Sequence, residues 1–79
     1  MEYILGFGSP HKALKAEEIL KKAGIGFRLL PVPKVLDSSC GLVILVNDAA
    51  LEGAKKALVG SGLPPRNVYR KEGEEYVKV

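Results

Sequence analysis

The sequence predicts an α+β fold in which one antiparallel sheet carries two helices on a single face. Three observations point there. Short β-type runs and helical repeats follow one another in the order strand–helix–strand–strand–helix–strand; both helical segments carry their own start and stop residues; and the run Leu42-Val43-Ile44-Leu45-Val46 is apolar on both faces, as a central strand is. Tyr3-Ile4-Leu5-Gly6-Phe7 is the first strand, rich in branched and aromatic side chains. Gly8 breaks it. Ser9 then caps a helix, because its hydroxyl accepts an otherwise orphaned backbone N–H, and Pro10 suits the first helical position, where its missing N–H costs nothing. Ala13, Ala16, Leu20 and Ala23 recur at helical spacing beside Ile19 and form the buried stripe, with most of the lysines off it. Lys21 and Lys22 suit the negative end of this helix, and Gly24 closes it.

Phe27 to Leu30 reads as the second strand. Pro31-Val32-Pro33 reads as the end of regular pairing, since two of its three residues lack a ladder donor, so residues 31–39 are expected to form a long loop. After the third strand, Asn47 or Asp48 caps a second helix whose Leu51, Ala54 and Leu58 share a face until Gly60 and Gly62 end it. Pro64-Pro65 is a turn, Val68-Tyr69-Arg70 the fourth strand, and Glu72-Gly73 can turn the chain back into an extra C-terminal strand, Tyr76 to Val79. Right-handed crossovers leave few ways to pack this order, and the commonest is the ferredoxin-like βαββαβ unit, with strands one and three side by side in the middle. The whole chain, residues 1–79, is expected to form one such domain. The helices would cover one face only, so the apolar second face calls for a cover. A second copy or a partner would serve, and so would the C-terminal hairpin folded over it.

Composition narrows the function. The 12 bases and 9 acids leave a net charge of +3, too mild a surplus to indicate nucleic acid, and no pair of stacking aromatics stands at sheet-face RNA-binding positions. The longest apolar run is far short of the ~20 residues of a membrane span. Met1-Glu2-Tyr3 opens without the basic head and apolar region of an export signal, so a cytoplasmic protein is expected. One cysteine and one histidine make no metal cluster, no phosphate-loop pattern occurs, and no cofactor is called for.

That single cysteine is the informative residue. Cys40 follows Ser38-Ser39 and precedes Gly41 at the entrance of the third strand, whereas a space-filling cysteine usually lies inside a periodic apolar run. In the predicted topology this entrance shares a sheet edge with the start of the first helix. The positive end of that helix, near Ser9 and His11, would then face the thiol, and Lys34 and His11 are the cations within reach. A thiolate in such surroundings has a pKa below the usual ~8.5. Ser39 can donate to the sulfur, and Gly41 leaves the backbone free to turn and a reagent free to approach.

The chain also resembles a family of small bacterial and archaeal proteins described as selenium/sulfur carrier protein-like. The resemblance lies in the β-run leading into Ser9-Pro10-His11-Lys12-Ala13-Leu14-Lys15-Ala16-Glu17, in Gly24-Ile25 leading to Leu30-Pro31-Val32-Pro33, in Ser38-Ser39-Cys40-Gly41-Leu42, and in Val68-Tyr69-Arg70 as a closing strand. It implies that Cys40 carries sulfur or selenium as a persulfide or selenopersulfide-type adduct. Lys34 stands where the resemblance suggests arginine, and Asp37 where it suggests a small hydroxyl residue; lysine keeps the charge but loses the planar fork for an anion. The residues agree with a carrier, which needs one accessible thiolate and no resolving cysteine to discharge it. The expected function is therefore a sulfur or selenium carrier rather than a stand-alone enzyme. Cys40 would hold the cargo, supported by Lys34, Ser39, Gly41, Ser9 and His11, and donor and acceptor proteins would be the partners. A homodimer through the open sheet face is also expected. The alternative is a non-catalytic ferredoxin-like binding or dimerisation module in which Cys40 is structural.

Overall fold

The computed structural model describes residues 1–33, 36 and 41–79. Along them run β1 (Glu2–Gly6), α1 (Pro10–Lys22), β2 (Arg28–Pro31), β3 (Leu42–Asn47), α2 (Asp48–Gly60), β4 (Asn67–Glu72) and β5 (Glu75–Lys78). The strands form one antiparallel sheet in the order β2-β3-β1-β4-β5. Its first four strands have the ferredoxin-like arrangement, with β1 and β3 paired at its centre (Gly6 opposite Val43, Glu2 opposite Asn47), and β5 is the extra strand.

Local chemistry sets both helices. Ser9 is extended, and its Oγ accepts the Lys12 N–H at 3.2 Å, one of the N–H groups a helix start leaves without a partner. Asn47, not Asp48, caps α2, its Oδ1 accepting from the Ala50 N–H at 2.8 Å. Both helices end in the same motif. A glycine in the left-handed region (Gly24 at φ +72°, Gly62 at φ +75°) lets the next N–H reach back across the last turn, from Ile25 to the Leu20 carbonyl at 3.0 Å and from Leu63 to that of Leu58 at 2.9 Å.

Alternation along the central strands divides the sheet. One face gives Leu5, Phe7, Ile44 and Val46 to a core closed by Ala13, Ala16 and Leu20 of α1 and by Ala54 and Leu58 of α2, all at most 2% exposed. Burying a side chain such as Leu20 or Leu58 contributes roughly 1.5–3 kcal/mol. The opposite face gives Ile4, Val43 and Leu45, also buried, and Leu30, Val32, Leu36, Tyr69 and Tyr76 pack around them.

Two expectations need correction. The C-terminal hairpin does not fold over the second face. β5 pairs edge-on with β4, with Lys71 opposite Tyr76, and so widens the sheet. The cover comes instead from Tyr69 and Tyr76 on the sheet and from Leu36, a residue of the β2–β3 connection. Pairing also does not stop before Pro31, which is the last residue of β2 opposite Leu42. A proline is tolerated there because β2 is an edge strand and its missing N–H breaks no central ladder.

Candidate functional site

One edge of the sheet gathers most of the residues the sequence singled out. β1 and β2 leave the sheet there, and β3 and β4 enter it, as the pairs Gly6–Val43, Gly6–Asn67 and Pro31–Leu42 require. Two backbone hydrogen bonds fasten this rim. Beyond the end of β2 the Val32 N–H donates to the Gly41 carbonyl at 3.2 Å, and before β4 the Arg66 N–H donates to the Gly6 carbonyl at 2.7 Å. The first of these closes the β2–β3 connection at its base. Gly41, at φ +76°, takes up the sharp entry into β3 in a conformation that a side-chain-bearing residue adopts only with strain.

From the same edge the chain rises through Gly8 and Ser9 into α1. Gly8 lies at φ +83°, and the Nη1 of Arg66 is 3.0 Å from the point where a Cβ at Gly8 would stand. A guanidinium therefore sits against the backbone that launches the helix. The first turn of α1 contains no acidic residue, and Arg66 forms no ion pair with any described residue. The positive helix end and the guanidinium charge thus add at one place, which favours an anion over a cation there.

Of the expected site residues, Ser9 and Gly41 stand at this rim. The Ser9 hydroxyl oxygen accepts the Lys12 N–H, and its own O–H can still donate towards a ligand. His11 is exposed on the first turn of α1. Cys40, Ser39 and Lys34 lie outside the described residues; in the sequence Cys40 is bonded directly to Gly41. The residue the sequence reading overlooked is Arg66. Its signal was topological: a residue just ahead of β4 must fall at the exit of β1, since the two strands are antiparallel. Arg70 and Lys71 belong elsewhere, paired with Glu72 and Glu2 along the sheet. Among the described residues no cluster of histidine, cysteine or acidic side chains could hold a metal ion, and no described helix is long and apolar enough to cross a membrane.

The protein family described as "Putative Se/S carrier protein-like" matches residues 2–70. The chain belongs to this family. The match runs from β1 into β4 and takes in the whole β2–β3 connection with Cys40, the fastened rim and Arg66, while β5 lies beyond it. No curated protein and no solved structure matches the chain significantly. The description of this family points to a carrier of selenium or sulfur.

Proposed function

We propose that this Se/S carrier family member holds sulfur or selenium on Cys40 as a persulfide or selenopersulfide. The observation that carries the reading is the family match across the only cysteine in the chain. The Cys40 thiolate attacks the terminal sulfur of a donor persulfide. The donor's S–S bond breaks, its thiolate leaves, and a new S–S bond joins the transferred sulfur to Cys40; selenium loading makes an S–Se bond by the same displacement. An acceptor thiolate then repeats the step outward. No other cysteine in the chain can form an internal disulfide and expel the cargo early.

The rim supports this chemistry in two ways. A persulfide is an anion near neutral pH, and the unneutralised start of α1 together with Arg66 favours negative charge at the edge where Gly41 enters β3. The Val32–Gly41 hydrogen bond fastens Gly41, the residue bonded directly to Cys40, to the end of β2 at that edge. Lys34, Ser39 and His11 complete the proposed set, as cations and a hydroxyl donor for the loaded anion. Donor and acceptor proteins are the partners of the cycle, in the cytoplasm.

The test is the mass of the intact chain after incubation with a cysteine desulfurase and cysteine. A gain of one sulfur, reversed by a thiol reductant and absent from Cys40→Ser, is expected, together with alkylation of Cys40 well below pH 8. An unchanged mass in the wild type, or an equal gain in Cys40→Ser, removes the proposal.

A further inference from the structure

β5 is an outer edge of the sheet, and its two sides can be told apart. Residues of an antiparallel ladder alternate between bonding the neighbour and facing away. Val79 donates its N–H to the Val68 carbonyl at 2.9 Å, and the register continues with Arg70 opposite Val77 and Glu72 opposite Glu75. Residues 75, 77 and 79 therefore face β4. The backbone N–H and C=O of Tyr76 and Lys78 face outward, and no described residue bonds them.

Only another strand that also presents outward-facing residues can complete this edge, and β5 itself is such a strand. Matching outward residues to outward residues leaves two well-overlapped antiparallel registers between copies. One sets Tyr76 opposite the partner's Tyr76, and the other sets Tyr76 opposite the partner's Lys78. The first also brings Glu74, in the turn just before β5, alongside the partner's Lys78, twice by symmetry, whereas the second leaves both glutamates without a neighbouring cation. A groove of about 350 Å³ lined by Leu36, Glu74, Glu75, Tyr76 and Val77 adjoins the same strand. Its apolar walls and two carboxylates suit the stem and ammonium of an incoming lysine.

We propose that β5 pairs antiparallel with β5 of a second copy of this chain, centred on Tyr76, with Glu74 alongside the partner's Lys78. Two sheets then join edge to edge about a two-fold axis. This interface is separate from the sheet face and does not depend on Cys40. A four-residue strand makes a small contact, so the association is reversible and follows concentration.

Sedimentation velocity of the full chain from about 1 μM to 1 mM tests it. The wild type is expected to shift from monomer to dimer within that range, and at higher concentrations as salt is raised. Glu74→Lys and Lys78→Glu each turn two attractive pairs into repulsive ones and should weaken the dimer at least about tenfold. The double variant Glu74→Lys/Lys78→Glu restores opposite charges and should recover most of the affinity. Lys78→Pro removes an outward N–H without touching the bonds to β4 and should abolish the dimer, with circular dichroism reporting an intact fold. A wild type that stays monomeric, single variants that dimerise like the wild type, or a double variant as weak as the singles would overturn the proposal.

Discussion

Replacing Gly8 by alanine separates backbone strain from crowding at the rim. At φ +83° an alanine costs about 1–2 kcal/mol in the left-handed region. The stiffer unfolded chain offsets about 0.4–1 kcal/mol of that. The net loss from strain is then about 1 kcal/mol, and the same holds for Gly41→Ala at φ +76°, where a methyl meets nothing within 4 Å. Gly8 bears a second cost, because its methyl would stand 3.0 Å from Nη1 and 3.2 Å from Cδ of Arg66. Arg66 is exposed and can swing aside, at about 0.5–1 kcal/mol for a displaced rotamer. Gly8→Ala should therefore lose about 1.5–2 kcal/mol and Gly41→Ala about 1 kcal/mol, with Tm falling by about 4–8 °C for each kcal/mol. Urea unfolding of both variants in the wild-type and Arg66→Ala backgrounds measures this. In the Arg66→Ala background the two glycine substitutions should cost the same. A Gly8→Ala loss that ignores Arg66 would refute the crowding, and a loss below about 0.3 kcal/mol at both glycines would refute the strain.

Two further outcomes are expected. Ser9→Ala and Asn47→Ala each remove a cap bond and should cost about 1 kcal/mol in urea unfolding, while Ser9→Asp, which keeps an acceptor at the cap, should cost little. Ile44→Ala empties the centre of the helix-covered core and should lose about 2–5 kcal/mol, whereas Leu36→Ala, on a half-buried residue of the second face, should lose less than half as much; equal losses would mean that Leu36 anchors the fold as firmly as the central strand does.

The parts of the fold that were legible are those governed by local rules. Ser9-Pro10 marked the start of α1 because the cap bond and the proline preference both act within one turn. The run Leu42–Val46 marked a central strand because burial on both faces leaves no polar alternation. Helix ends were legible to within a residue or two: Gly24 stands one residue past the Ala23 cap, and Gly62 supplies the left-handed turn while Gly60 is still helical. What escaped the sequence depends on which chain segments meet. Pro31 belongs to β2 because β2 is an edge strand, and no local pattern states that. The cover of the second face falls to Leu36 and two tyrosines from separate segments, and Arg66 reaches the rim through the pairing of β4 with β1. At the candidate site the sequence indicated Ser9 and Gly41 from turn and cap chemistry, but a guanidinium seated on Gly8 needs the folded chain to be seen.

The bond from Val32 to Gly41 works as a clasp. It joins the residue that follows β2 to the residue that precedes β3, so the two strand ends are held together at that point. Lengthening an enclosed segment is thermodynamically gentle, since doubling it adds only about 0.6 kcal/mol of closure entropy. The pairing of β2 with β3 can therefore tolerate a change in the length of the chain between those two positions.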